Sequence, residues 1–259
     1  MSVRIGIAGI AGRMGRLLAE EAVAAGATLA GGTLRPGSAA APPPGVPVLP
    51  DAAALFAASE VVIDFTHASA AAAHAALAAR TGRPLVLGTS GLSPVDEAAV
   101  AEAARRAPIC YAANFAPGVN LVLAIAERMA AALPAEQYDA EIVEMHHRQK
   151  VDAPSGTAIA LGRAVARGRG TTLEAAGRES GRDGHTGARK TGAIGFAALR
   201  GGQVVGEHTL LFAGASEHIA LTHRSFDRRV YATGAVRAAL WLVGRPPGLY
   251  GMKDVLGMG

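Results

Sequence analysis

Short apolar runs alternate with longer amphipathic stretches through the first half of the chain, and that rhythm predicts strands separated by helices. Residues 3–8 read as a strand, residues 9–15 as a glycine-bearing turn, and RLLAEEAVAA as a helix. TLAGGTL, VVIDF, PLVLGT and PICYAA repeat the strand signal, with helical spacing of apolar residues over 51–57, 68–80 and 94–106. Alternation of this kind predicts a parallel, doubly wound sheet whose ligands sit beyond the carboxyl ends of the strands. The Pro- and Ala-rich stretch 35–50 reads as a mobile loop.

Past residue 118 the pattern changes. Residues 119–133 predict a long helix, AEIVEMHH a strand up to Met145, and residues 156–168 a further helix. Residues 169–192, rich in Gly, Arg and Thr, read as a flexible loop with His185 and Arg189 available to a ligand or neighbour. Strands are expected at 193–200, 203–212 and 217–224, the first two joined at Gly201-Gly202, before a last helix over 228–243 that carries Trp241. The expected fold class is α/β: a Rossmann-type doubly wound parallel sheet plus an α+β substrate and oligomerisation domain with a mixed sheet. The expected boundaries are 1–117 with 227–259 for a discontinuous dinucleotide-binding domain, and 118–226 for the second, with hinges near 116–118 and 226–228. Closure there brings a basic loop over the nicotinamide. Apolar residues fall on both faces of GAIGFAAL and VVGEHTLLF, whereas helices of so small a domain cover one, so a homo-oligomer built through this sheet is expected.

A chain of 259 residues, half of them hydrophobic, has core enough for one large or two modest domains. Its formal net charge of +4 is dispersed, with lysine only at 150, 190 and 253. Without a basic tract or an aromatic stacking platform, nucleic acid is not the expected partner; a small anionic molecule is. Cys110, the single cysteine, sits in PICYAA and reads as a buried structural thiol, so no intrachain disulfide forms. Neither a leader nor an apolar segment of membrane-spanning length is read, and a cytoplasmic protein without membrane partners is expected.

The chemistry concentrates in EMHHRQKVDAPSGTA, residues 144–158. Basic groups lie there between a strand end and a helix start. Pro154 and Ser155 suit a helix N-terminus, where the N–H groups of Gly156 and Thr157 point at a bound carboxylate or phosphate. His146 moves protons near neutral pH, and Lys150 neutralises an anion or donates a proton. Adjacent histidines on a strand point to opposite faces and Asp152 completes no metal-ligand spacing, so no metal is expected. A solvated turn before an ordinary helix remains the alternative for the same residues.

Glycines at 9, 12 and 15 follow GxxGxxG spacing, and they allow a pyrophosphate to rest on a helix N-terminus. Other strand ends carry Asp64-Phe65-Thr66, Gly88-Thr89-Ser90-Gly91 and Ala113-Asn114-Phe115, each by itself an ordinary turn, together a cofactor edge. The second strand ends in Thr33-Leu34-Arg35-Pro36, with an arginine and no acid, which favours the 2′-phosphate of NADP, helped by Arg13. An arginine beside a Pro-rich loop is the other reading.

GIAGRMGR, VVIDFTH, GTSGL, ANFAPGVN, EMHHRQKVDAPSGTA, HTGARKTGAIGF, VVGEHTLLF and GAVRAALWL together resemble the 4-hydroxy-tetrahydrodipicolinate reductases of bacterial lysine and diaminopimelate biosynthesis, the dihydrodipicolinate reductase family. The resemblance runs nearly end to end, and HHRQKVDAPSGTA is its most specific part. It implies a cytoplasmic homotetramer that transfers hydride from NADPH, or from NADH, to C4 of a cyclic dicarboxylate, with loss of water. It implies His146 as acid/base, Lys150 as proton donor, and His147, Ser155, Gly156 and Thr157 as substrate contacts. On the cofactor side it implies Gly9, Ile10, Ala11, Gly12, Arg13, Met14, Arg35, Gly88, Thr89, Ser90, Ala112, Ala113, Asn114 and Phe115. Leu34 before Arg35 departs from the Glu-Arg of members that use both cofactors, which makes NADPH the preferred one. GTSG stands for the common GTTG, and His67 for a frequent arginine. Another NADP-dependent amino-acid-type dehydrogenase, or a non-catalytic NADP-sensing protein, stays open as an alternative.

Overall fold

A computed structural model describes residues 2–35 and 37–258; Met1, Pro36 and Gly259 lie outside the described residues. The chain runs through β1 (Arg4–Ala8), α1 (Arg13–Ala24), β2 (Thr28–Gly32), α2 (Ala52–Ala58), β3 (Val61–Asp64), α3 (Ala68–Thr81), β4 (Leu85–Leu87), α4 (Pro94–Ala103) and β5 (Pro108–Tyr111). It continues through α5 (Pro117–Ala132), β6 (Asp139–His146), α6 (Gly156–Gly168), α7 (Leu173–Ala176), β7 (Arg178–Ser180), β8 (Ile194–Arg200), β9 (Gly206–Ala213) and β10 (His218–Ser225). The last elements are α8 (Arg229–Leu242), β11 (Gly248–Tyr250) and α9 (Met252–Val255). Two compact units form, Met1–Pro117 with Arg229–Gly259, and Gly118–Arg228.

The first unit holds a six-stranded sheet in the order β11-β5-β4-β3-β1-β2, with every pair parallel. Its central strands β1, β3, β4 and β5 are short and mostly apolar because both their faces are covered, while the edge strands β2 and β11 are partly exposed. Ile5, Ile7, Ile63 and Val86 pack on one face with Leu18 and Ala22 of α1 and Ala235 and Ala239 of α8. Val62, Leu85, Leu87 and Ile109 pack on the other with Phe56 of α2, Ala71 and Ala75 of α3 and Val100 of α4. Helix starts are fixed by side chains that accept first-turn amides: Asp51 from Ala54, His67 from Ser69, and Ser93 from Asp96 in a capping box. His67 is thus an N-cap. Since β1 leads to β2 on one side and its other neighbour is β3, the strand order reverses there, opening the crevice where dinucleotides bind in such sheets.

The second unit holds a five-stranded sheet in the order β10-β9-β6-β8-β7. It is mixed: β6 pairs parallel with β8 and antiparallel with β9. Alternating residues Ala140, Ile142, Phe196, Leu210 and Phe212 turn onto Val122 and Ala126 of α5 and Leu161 and Val165 of α6. The opposite face leaves Val143 and Leu199 open, at 40% and 51% exposure.

Residues 169–192 are not one flexible loop: α7 and β7 lie within them. Arg189 is not available to a ligand, because its guanidinium donates to Asp139, Glu141 and the carbonyls of Ala140, Lys190 and Ala193. A cation this far from solvent is stable only with such acceptors, and no periodicity over four or three residues announces elements as short as α7 and β7. The helix expected over 94–106 ends at Ala103, and the strand expected from 203 starts at Gly206.

Gly234 of α8 lies so close to the Phe115 carbonyl that an added Cβ would overlap it and stand 3.1 Å from Pro117 Cδ. Gly234→Ala is therefore expected to destabilise the protein by about 1–3 kcal/mol. A urea-unfolding midpoint equal to wild type would contradict that close approach.

Candidate functional site

Strand register builds the centre of the site in the second unit. Glu144 and His146 are two apart on β6 and so share a face. On that face Glu144 stands opposite His208 of β9, and His146 opposite Arg200 of β8. Glu144 is 1% exposed and accepts from Arg200 Nη1 and Nη2 at 2.8 Å each, from His146 Nδ1 at 2.6 Å and from the Ser155 amide at 3.1 Å. Burial alone would raise the Glu144 carboxyl, but the hydrogen bonds from Arg200, His146 and Ser155 outweigh it and hold it below the ordinary range.

Those bonds assign the histidine. With Nδ1–H donated to a carboxylate, His146 keeps Nε2 for exchange with a ligand. Burial pulls its pKa below the ordinary value against the opposing pull of Glu144. Gly206 faces Nε2, and a Cβ there would stand 3.0 Å from it. His208 stacks edge-on against His146 at 5.1 Å between ring centroids, and its Nε2 lies 2.9 Å from Ser155 Oγ. Burial and the neighbouring His146 push His208 down to about 4, so it stays neutral near pH 7.

Ser155 Oγ also accepts from the Ala158 amide, which makes it the N-cap of α6. Gly156 opens that helix with nothing within 4 Å of where a Cβ would stand, and Thr157 follows in the first turn. First-turn amides are not consumed by a helix's own ladder, so an anion is favoured at this end. Lys150 Nζ lies 2.8 Å from Asp152 Oδ1, and Arg200 Nη2 donates to the Asp152 carbonyl at 2.7 Å, joining the lysine to the Glu144 cluster. The hydrogen bond from Lys150 keeps the Asp152 carboxyl below its ordinary range. His147 leaves the strand face; its amide donates to Val204, and its buried Nδ1 has no partner. Of the expected residues, His146, Lys150, His147, Ser155, Gly156 and Thr157 all belong to this one strand, loop and helix start. Among the described residues no group of three or more His, Cys, Asp or Glu side chains is placed to hold a metal ion.

The first unit carries a cavity of about 410 Å³ at the β1–β3 crevice, lined by Gly9, Ala11, Gly12, Arg13, Met14, Leu34, Arg35, Ser38, Phe65 and Thr66 among others. That volume suits a small-molecule site. Gly9 has φ +71, and Gly15 lies too close to the Gly9 carbonyl for any side chain, which lets α1 start directly beneath the turn. Arg16 Nη2 donates to the Ala41 carbonyl at 2.6 Å, and Leu49 N to the Gly32 carbonyl, tying down the Pro-rich stretch beside Ser38. In the next loops Thr89 Oγ1 is buried without a partner, an atom a bound ligand can satisfy. Open backbone at Gly12, two guanidiniums and that orphan hydroxyl suit a phosphorylated dinucleotide. Ile10 and Phe115 differ from their neighbours: both side chains are core, 0% and 1% exposed, so only backbone of these two can face a ligand. Cys110 is also core, its thiol pushed up to about 12 by burial.

Sequence reasoning passed over Glu144, Arg200 and His208 as site residues. Spacing alone offered one of them, since Glu144 is two positions from His146; Arg200 and His208 arrive through strand pairing, which no local pattern encodes.

Family models match along the chain, "Dihydrodipicolinate reductase, N-terminus" over residues 3–115 and "Dihydrodipicolinate reductase, C-terminus" over residues 118–256. The 4-hydroxy-tetrahydrodipicolinate reductase of Granulibacter bethesdensis is 68% identical over 257 residues, covering 99% of this chain and 98% of its own. That of Acidiphilium cryptum is 62% identical over 256 residues, with the same two coverages, 99% and 98%. Among solved structures, a dipicolinate-bound dihydrodipicolinate reductase from Paenisporosarcina sp. TG-14 superposes with a TM-score of 0.79 at 24% identity, over 98% of this chain and 99% of that one, a likeness of fold.

The depressed pKa of His208 makes the second unit acid-sensitive. Its folded value of about 4 lies below the ordinary 6.5, so the unfolded chain binds the extra proton between those values. Stability from this group is complete above pH 6.5 and falls as pH drops toward 4, by up to about 3 kcal/mol. His208→Gln, which does not titrate, is expected to flatten the fall in unfolding free energy between pH 7 and 4.5; an unchanged slope would refute the assignment.

Proposed function

The chain belongs to the dihydrodipicolinate reductase family, and from that membership we propose that it reduces 4-hydroxy-tetrahydrodipicolinate to tetrahydrodipicolinate with NADPH, in bacterial diaminopimelate and lysine biosynthesis. The observation that carries the reading is the buried Glu144–His146–Arg200 cluster at the N-terminus of α6, which joins a proton-exchanging imidazole to an anion-binding helix start. A non-catalytic NADP-sensing protein needs no proton-exchanging group there, and another NADP-dependent amino-acid-type dehydrogenase leaves His146 and Lys150 ahead of this helix start unexplained.

In this proposal the first unit holds the dinucleotide and the second the diacid. Reduced nicotinamide supplies the hydride to C4 of the substrate. His146 exchanges a proton at Nε2, its ring held by Glu144 and its approach kept open by Gly206. Lys150, steered by Asp152, donates a proton or pairs with a carboxylate. Ser155 holds the helix start, Gly156 and Thr157 present amides to one carboxylate, and His147 contributes a further polar contact. Loss of water accompanies the reduction. Arg35 and Arg13, both lining the first cavity, bind the 2′-phosphate of NADPH, with NADH a weaker alternative. Gly9 to Met14, Gly88 to Ser90 and Ala112 to Phe115 line the rest of the dinucleotide path, Ile10 and Phe115 through backbone only. The open sheet face bearing Val143 and Leu199 is where copies of the chain pair into a homotetramer, and the cytoplasm is the expected location.

The direct test is loss of NADPH absorbance when purified protein meets freshly made 4-hydroxy-tetrahydrodipicolinate at neutral pH; no loss would end the proposal. His146→Gln is expected to lower kcat by about 10²–10⁴-fold while the NADPH dissociation constant stays at the wild-type value. Equal losses in both would remove His146 from acid–base chemistry. Arg35→Ala is expected to raise KM for NADPH by about tenfold or more with little change for NADH, and equal effects on the two would defeat the phosphate assignment.

A further inference from the structure

Asp64 ends β3 at the sheet's reversal point and is 0% exposed. One carboxylate oxygen accepts from the Thr66 amide at 2.7 Å and from its hydroxyl at 2.6 Å; the other faces His74 Nδ1 of α3 at 2.6 Å. A carboxylate buried this fully costs more than an apolar residue would unless its bonds do something a hydrocarbon cannot. Here they set two neighbours. With its hydroxyl turned back to Asp64, Thr66 presents its methyl to the first glycine turn, where a Cβ on Gly9 would lie 2.8 Å from Thr66 Cγ2. Phe65, between them, turns the other way. Its ring fills the space a Gly88 Cβ would need and stacks on Phe115 at 5.4 Å between centroids. Two consecutive residues thereby touch all three loops of the candidate dinucleotide site.

We propose that Asp64 and His74 are positioning residues for the dinucleotide, locking Phe65 and Thr66 as the wedge that sets the spacing of the loops at Gly9, Gly88 and Phe115. The inference rests on reading the first unit's cavity as the dinucleotide site. Neither side chain touches the cofactor; each acts through Thr66. The geometry demands an acceptor at 64 and a partner at 74, and makes the Thr66 hydroxyl, not only its bulk, a determinant of cofactor affinity.

The test compares NADPH binding by fluorescence titration and steady-state kinetics in wild type, Thr66→Val, Asp64→Asn and Asp64→Ala, each with its melting temperature. Thr66→Val keeps size and methyl contact but removes the hydroxyl, so it folds and reports the bond alone. It is expected to raise both the dissociation constant and KM for NADPH by about tenfold, with kcat at saturation within about twofold of wild type. Asp64→Asn keeps an oxygen for Thr66 and satisfies His74 by a change of ring tautomer, so it should bind NADPH within about threefold of wild type, whereas Asp64→Ala should match or exceed the loss in Thr66→Val. Wild-type affinity in Thr66→Val overturns the inference alone, as does an Asp64→Asn protein as weak as Asp64→Ala. A wild-type protein that binds no NADPH overturns the dinucleotide reading, and this inference with it.

Discussion

Glu144 is buried at 1% exposure, where an unpaired carboxylate would be untenable, and it is stable because four donors converge on it. The donors come from three residues, each meeting a different structural demand. The planar fork of Arg200 ties the end of β8 to β6, the Ser155 amide ties the start of α6 to the same strand, and the His146 ring is held in one tautomer. Loosening any one leaves the others facing a buried charge, so strand register, helix position and imidazole orientation are set together. The surrounding contacts join onto this cluster: the N-cap at Ser155, whose Oγ also meets His208, and the route from Arg200 through Asp152 to Lys150.

The first unit solves a different problem. Its glycine turn brings backbone into the lining of a cavity and a helix close to the sheet, and glycine at 9 and 15 permits both. Spacing of the remaining loops cannot come from glycine. It comes from residues that reach between loops: Phe65 onto Gly88 and Phe115, and Thr66 onto Gly9, held by the buried pair behind them.

The alternation of apolar runs with helical spacing made the α/β class and the parallel sheet legible, because strands buried on both faces must read as continuous hydrophobic stretches. VVIDF and PLVLGT show this plainly, and α3, almost all alanine on its inner face, still kept its helical spacing at Ala71, Ala75 and Ala78. The strand alternation of AEIVEMHH and the PSGTA helix start were equally readable, although β6 runs one residue past the expected Met145 and takes in His146, and Gly156 opens α6. Of the elements of three or four residues, β3, β4 and β5 showed as continuous apolar runs, whereas α7, β7, β11 and α9 escaped because a period needs more than one repeat to be seen. Arg189 was misread as free for the same reason that any exposed-looking arginine is: its acceptors lie on a strand distant in sequence. Ile10 and Phe115, counted with the cofactor loops, are core by side chain, since a loop position does not reveal which way its residue turns.

By itself the sequence determined the order and type of the main elements, the glycine turn, the basic segment before α6, and the family. Those follow from periodicity, from conformational limits on glycine and proline, and from residues adjacent along the chain. Only the tertiary structure decided which oxygen each histidine meets, that Arg200 and His208 complete a site begun on β6, and that Asp64 and His74 stand behind the first-unit loops. The reason is physical: a one-residue slip in strand pairing would turn Arg200 or His208 to the other face, and that register is chosen by the packing of whole sheets against helices, an energy that no local stretch of sequence contains.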